Sequence, residues 1–113
     1  PLYTIEDAKR AVDKLIPKEY NQWYKVSDDI EAMFTDAGHI IGSACVHLKI
    51  AENGKVKHIT FSGDIGRYRD VILKSPGNFP QADVIIMEST YGDKLHDNTI
   101  STPDQLLEWV NKA

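Results

Sequence analysis

Cysteine is almost absent from this sequence, because Cys45 is the only one among 113 residues. A disulfide joins two thiols, so the fold cannot depend on an internal disulfide framework. Chains with this cysteine usage are typical of reducing compartments. We therefore expect a cytoplasmic protein in which Cys45 is a small packed side chain rather than a nucleophile.

Long apolar runs and an excess of basic charge are also lacking. No stretch approaches the roughly 20 apolar residues of a membrane-spanning helix, and no signal peptide is recognisable, so we expect no membrane association. Acidic residues outnumber basic ones by 17 to 13, which gives a net charge of −4. This balance excludes a surface that is basic throughout. Any contact with nucleic acid must be local, or made by another part of a larger protein.

The remaining composition is that of an ordinary globular domain, with 42% hydrophobic and 27% charged residues. A chain of this length is expected to form a single domain over residues 1–113, with a modest core. No repeat, low-complexity segment or linker divides it. The chain begins at Pro1 without an initiator methionine, which we interpret as a processed chain or an excised piece.

Hydrophobic periodicity predicts an α/β fold with a helix near each end. The stretch "TIEDAKRAVDKLI" has an apolar stripe at helical spacing between Thr4, a suitable N-cap, and Pro17. Near the other end, "TPDQLLEWVNKA" has a capping box that begins at Thr102. We expect the apolar residues of this second helix to face a sheet: Leu106, Leu107 and Val110.

Strands are predicted between the two helices. Residues 29–36, "DIEAMFTD", alternate apolar and polar side chains, and residues 20–26, "YNQWYKV", are aromatic and extended. The continuous apolar run from Val84 to Met87 predicts a short strand buried on both faces.

The strongest local signal is a hairpin that turns at Asn53 and Gly54. A two-residue turn fixes the register, which pairs Glu52 with Lys55, Val46 with Phe61, Leu48 with Ile59 and Ala44 with Gly63. One face is then apolar, and burial should favour it. The other face is mixed, and we expect its two histidines, His47 and His58, to be ordinary strand residues.

The same register places His39 and Asp64 just beyond the open end of the hairpin. If the strand that follows runs parallel to the second hairpin strand, Glu88 emerges beside Asp64. An imidazole and carboxylates that converge on one edge of a rigid scaffold are typical of a metal site. Four glycines would let the two loops turn sharply: Gly38, Gly42, Gly63 and Gly66.

Spacing alone leaves ordinary structural interpretations open. A single histidine in a glycine-rich loop is commonly structural, and an aspartate after glycine commonly forms a turn. Glu88 could be a solvated strand end, and His96 could be a solvent-exposed loop residue. Two ligands such as His39 and Asp64 also fall short of the three or four that a zinc site needs.

Three strings occur in order, "DAGHIIGSA", "FSGDIGR" and "ADVIIMESTYGDKLH". Together they resemble the β-CASP branch of the metallo-β-lactamase superfamily, which includes zinc-dependent RNA nucleases, and the opening "PLYTIEDA" is similar to the segment that precedes them. The resemblance covers residues 1–96. It implies a fragment of the superfamily's αββα sandwich, with a mostly antiparallel sheet and flanking helices.

The resemblance also implies a role for each candidate residue. His39 would ligate one zinc ion and Asp64 would bridge two, while Glu88 would orient a histidine near the scissile phosphate. The implied reaction is hydrolysis of RNA phosphodiester bonds by metal-activated water.

Other parts of the family pattern are missing. The main ligand cluster, His-x-His-x-Asp-His, does not occur, and neither do the two later β-CASP motifs. We therefore expect part of a metallo-β-lactamase domain that lacks its upstream half and the downstream β-CASP insertion. Alone, it should bind zinc weakly or not at all and hydrolyse nothing. Its uncovered apolar face should self-associate, for example as a homodimer.

Two other functions stay open at this point. One is another hydrolase of the same fold that acts on DNA or a small ester, although the string "ESTYG" disfavours the ester. The other is a non-catalytic paralogue that serves as a scaffold, which retention of His39 and Asp64 disfavours. The upstream sequence would discriminate, because an intact ligand cluster there supports the enzyme.

Overall fold

One mixed sheet of five strands is the centre of the fold. The computed structural model describes residues 2–70, 72–94 and 102–112. Its elements are α1 (Ile5–Val12), β1 (Trp23–Lys25), β2 (Ile30–Asp36), β3 (Ala44–Glu52), β4 (Lys55–Phe61), β5 (Val84–Ile86) and α2 (Thr102–Lys112). The strands lie in chain order, the first four antiparallel and β5 parallel to β4. The predicted α/β class, with a mostly antiparallel sheet, is confirmed.

The hairpin between β3 and β4 has the predicted turn and register. Asn53 and Gly54 both have positive φ, 51° and 73°, as a type I′ turn requires. Glu52 pairs with Lys55, and the ladder continues to the pair Val46 and Phe61. The strand that follows is parallel to β4, which is the condition under which Glu88 was expected to emerge beside Asp64.

The sheet buries the opposite face from the one we expected. The mixed face is the enclosed one, and its buried side chains are Thr35, Cys45, His47, Thr60 and Ser62. On the apolar face, Phe61 remains 38% exposed. The cause is the loop after β4, which returns across the mixed face and places Phe79 against His47 with ring centroids 5.4 Å apart.

His47 is consequently more than an ordinary strand residue. Its Nε2 lies 2.9 Å from the Thr35 hydroxyl and its Nδ1 lies 2.9 Å from the Thr60 hydroxyl. Burial lowers the pKa of His47, so the neutral ring is favoured. Because Thr35, His47 and Thr60 belong to three neighbouring strands, this pair of hydrogen bonds links the middle of the sheet.

Strand β5 is in the predicted place, but it is not buried on both faces. Val84, Ile85 and Ile86 all remain exposed. The apolar run predicted the strand correctly, but it could not show whether other parts of the chain cover it. Within the part of the chain that the structure describes, no strand pairs with the outer edge of β5.

The two helices are stabilised locally rather than by packing. At the start of α1 the Thr4 hydroxyl accepts from the amide of Asp7, and the Asp7 carboxylate accepts from the amide of Thr4. This helix ends at Val12, four residues before its expected end.

The apolar residues of α2 do not face the sheet, contrary to the prediction, because Leu106, Leu107 and Val110 are exposed. Within the described ranges, neither helix is long and apolar enough to cross a membrane.

Candidate functional site

His39, Asp64 and Glu88 lie together at one end of the sheet. Nε2 of His39 is 3.9 Å from Oδ2 of Asp64. The Glu88 carboxylate accepts from the amide of Ile65, the residue after Asp64, at 2.8 Å. All three predicted residues line one open cavity of about 410 Å³. The convergence expected from the hairpin register is therefore present.

The loop that carries His39 is held by short polar side chains. The Ser43 hydroxyl accepts from the amides of His39, at 3.1 Å, and Ile40, at 3.2 Å. At the end of β2 the Asp36 carboxylate accepts from the amide of Gly38 at 2.8 Å. These contacts fix the backbone of the loop, while the imidazole of His39 stays 47% exposed and free to face the cavity.

Direct backbone contact joins this loop to the loop that carries Asp64. The amide of Gly66 donates to the carbonyl of Ala37 at 2.8 Å. A Cβ at Gly66 would lie 1.7 Å from the carbonyl oxygen of Gly38, which no side chain tolerates. Gly38 and Gly63 have positive φ, 65° and 58°, as sharp turns at glycine require. Gly66 instead is needed because the two backbones approach so closely.

Glu88 sits in a network that favours its ionised form. Its Oε1 accepts from the amide of Ile65 at 2.8 Å, and its Oε2 accepts from the Thr90 hydroxyl at 2.9 Å. The bond from Ile65 contributes most to lowering the pKa of Glu88, followed by the bond from Thr90, and the nearby His39 adds to it. At neutral pH this carboxylate therefore carries its charge.

The donor set fits part of a zinc site. Two ligands held about 2.0–2.2 Å from one tetrahedral ion are roughly 3.4 Å apart. The 3.9 Å between His39 and Asp64 is close to that spacing, and imidazole nitrogen and carboxylate oxygen are both common zinc ligands. However, residues 2–70, 72–94 and 102–112 contain no group of three or more such side chains that could hold a metal ion. The pair could supply two donors but not a complete coordination shell.

The sequence did not reveal the residues that support the site. The hydroxyls of Ser43, Ser62 and Thr90 were not singled out, although each lies within four residues of a candidate residue. A search for hydroxyls near the loop ends could have found them, because such side chains bond nearby backbone. Arg67 and Tyr91 also line the cavity. His96 lies outside the described residues.

Comparison with known proteins gives several relatives, although no family model matches the chain. It is 33% identical to ribonuclease TTHA0252 of Thermus thermophilus over 113 residues, which are 100% of this chain and 25% of that protein. It is 39% identical over 110 residues to transcription termination factor FttA of Pyrococcus abyssi, covering 96% and 16% of the two chains. An RNase J-like protein of Methanocaldococcus jannaschii is 33% identical over 94 residues, 82% and 21% of the two.

The chain spans a quarter or less of the length of each of these three relatives. The five-stranded sheet with its two helices is consistent with a fragment of the αββα metallo-β-lactamase fold. Within that superfamily, the relatives fit a fragment of a β-CASP protein, the branch that the three motifs of the sequence resemble.

Proposed function

We propose that the protein of which this chain is a part is a zinc-dependent RNA nuclease of the β-CASP type, acting in the cytoplasm. One observation carries the proposal: His39 and Asp64 face each other at 3.9 Å in an open cavity. The names of the relatives support RNA as substrate, since two of the three are named as RNases.

Residues of this chain would contribute to the reaction in two ways: some would bind the metal, and one would position a metal ligand. His39, as the neutral imidazole, and Asp64, as the carboxylate, would each donate to zinc, and the oxygens of Asp64 are suited to bridge two ions. Bound zinc would acidify a water molecule and offset charge on the phosphate. Glu88 would fix the backbone beside Asp64. The other ligands would come from the rest of the protein, so the isolated chain should bind zinc weakly and cleave no RNA.

The first prediction tests this assignment in the full-length protein. Asp64→Asn and His39→Ala should each lower the rate of RNA cleavage by more than about 100-fold, because each removes a proposed metal ligand and not merely a neighbour of one. The assay would measure initial rates on a labelled RNA with added zinc. Zinc affinity, measured by competition with a chromophoric chelator, should fall by at least about tenfold.

A matched histidine–aspartate pair elsewhere in the sheet provides the control. Nδ1 of His58 lies 3.7 Å from Oδ2 of Asp83, with similar exposure, but neither residue lines the cavity. His58→Ala should leave cleavage and zinc affinity within about twofold of the unmodified protein, as surface substitutions usually do. Full activity of Asp64→Asn, or equal losses in His58→Ala, would contradict the proposal.

The second prediction concerns association of the isolated chain. We propose that the exposed apolar sheet face, which includes Phe61 and Ile86, drives self-association, with a homodimer as the simplest product. Sedimentation velocity at increasing concentration should show a rising mean mass. The double variant Phe61→Ser, Ile86→Ser should stay monomeric. Ile41→Ser, at a fully exposed loop position away from the sheet, should still associate, and equal behaviour of the two variants would count against this face.

A further inference from the structure

A set of hydrogen bonds ties the ends of β4 and β5 to the segment that carries Asp64. We propose that Thr90, Glu88 and Ser62 form a brace that positions Asp64 towards His39, and that Thr90 is a positioning residue of the site. This inference rests on the proposed function, since positioning matters only if Asp64 is a ligand. In this brace Glu88 accepts the hydrogen bonds from Ile65 and Thr90.

Glu88 is the centre of the brace. One of its oxygens accepts from the amide of Ile65 at 2.8 Å, and the other accepts from the Thr90 hydroxyl at 2.9 Å. Both oxygens are therefore hydrogen-bond acceptors, an arrangement that favours the ionised carboxylate. The amide of Ile65 belongs to the peptide group that follows Asp64. Its hydrogen bond to Glu88 therefore fixes the backbone from which the Asp64 side chain extends.

Ser62 anchors the other side of the same segment. Its amide donates to the carbonyl of Ile86 at 2.9 Å, which continues the pairing of β4 with β5. Its hydroxyl accepts from the amide of Glu88 at 3.2 Å and donates to the carbonyl of Gly63 at 2.7 Å. Ser62 is fully buried, so these bonds are sheltered from competing water.

The brace is needed because Asp64 lies between glycines. Gly63 has φ +58°, and Gly66 follows two residues after Asp64. Glycine adopts many backbone conformations at little cost, so this segment would sample several directions without outside contacts. The hydrogen bond from Ile65 to Glu88 removes that freedom from one side, and the bond from Gly66 to Ala37 removes it from the other. A ligand whose orientation is fixed before the metal arrives binds the metal more tightly than a ligand that must be ordered on binding.

Thr90 can be tested because its hydroxyl can be removed without changing its shape. In the full-length protein, Thr90→Val deletes the hydroxyl and should lower zinc affinity by about tenfold, the lower end for residues that support metal ligands. It should reduce kcat while leaving KM for RNA within about twofold, since the lost hydroxyl bonds Glu88 and serves to orient a ligand. Thr90→Ser keeps the hydroxyl and should restore zinc affinity and kcat to within about threefold of the unmodified protein.

The outcomes separate this inference from the proposed function. Ser89→Ala, next to Thr90 but outside the brace, should change neither quantity. If Asp64→Asn abolishes zinc binding while Thr90→Val binds zinc normally, the brace is wrong and the metal assignment stands. If Asp64→Asn also binds zinc normally, the proposed function itself is wrong. A loss in Thr90→Ser as large as that in Thr90→Val would likewise overturn the role of the hydroxyl.

A second pair of variants covers the case in which Thr90→Val does not fold. Glu88→Gln retains an oxygen that can accept from Ile65, whereas Glu88→Ala removes both acceptors. Zinc affinity should therefore fall further in Glu88→Ala than in Glu88→Gln. In the protein labelled with ¹⁵N-isoleucine, the amide proton of Ile65 should move upfield in Glu88→Ala, because it loses its charged acceptor. An unmoved Ile65 signal would contradict the brace.

Discussion

Replacing Gly66 with alanine is expected to separate the two loops of the site. The new Cβ would lie 1.7 Å from the carbonyl oxygen of Gly38 and 2.7 Å from the amide nitrogen of His39. Both contacts are with backbone, so no side-chain rotation can relieve them. The loops would have to part, and the hydrogen bond from Gly66 to Ala37 would be lost. We expect a loss of more than about 3 kcal/mol in the free energy of unfolding, beyond the usual range for overpacking.

Urea denaturation followed by far-ultraviolet circular dichroism would measure this loss. Gly42→Ala is the matched control, because Gly42 has φ +83° but a Cβ added there would meet nothing within 4 Å. It should cost only about 1–2 kcal/mol, the penalty for a non-glycine residue in a left-handed conformation. If Gly66→Ala is no more destabilising than Gly42→Ala, the close approach of the two backbones does not hold in solution.

The register of the hairpin could be predicted because local chemistry determines it. Asn53 and Gly54 accept positive φ at low cost, and a two-residue turn leaves only one pairing of the flanking strands. Once that pairing is fixed, His39 and Asp64 must leave the sheet at the same end. The proximity of these two residues, which are distant in the sequence, followed from a turn of two residues, so their convergence could be expected from the sequence.

The buried face could not be predicted in the same way. Alternation shows that a strand has two different faces, but not which of them the rest of the chain covers. Here a loop covers the mixed face, where His47 satisfies the two threonine hydroxyls and Phe79 packs on its ring. Polar side chains that are buried usually have hydrogen-bond partners, as these three side chains do. The apolar face keeps Phe61, Val84 and Ile86 exposed. Composition alone would have predicted that this face is the buried one.

The supporting residues escaped prediction for a different reason. Serine and threonine hydroxyls are frequent in loops, and nothing in the sequence shows which backbone groups they will reach. Ser62 and Glu88 are 26 residues apart, and Ile65 and Glu88 are 23 apart. Their bonds depend on the parallel alignment of β4 and β5, which the sequence indicated only through the crossover between them.

Replacing His47 with alanine should produce the second large loss of stability. The substitution leaves the hydroxyls of Thr35 and Thr60 buried without the partners they now have at 2.9 Å, and it removes the contact with Phe79. An unsatisfied buried polar group costs about 1–3 kcal/mol. Because the hydroxyls can rotate and relax in part, we expect a total loss of about 2–4 kcal/mol in the free energy of unfolding.

The pH dependence of the free energy of unfolding would show that the imidazole of His47 is responsible for this loss. Burial lowers the pKa of His47 in the folded protein below its ordinary value of 6.5. The unfolded chain therefore binds the proton first as the pH falls, so stability should decline below pH 6.5, by at most about 1.4 kcal/mol per pH unit, until the folded pKa is reached. His47→Ala should lack this decline, whereas His58→Ala, at a half-exposed ring, should retain it. A decline of equal size in His47→Ala would show that another group causes it.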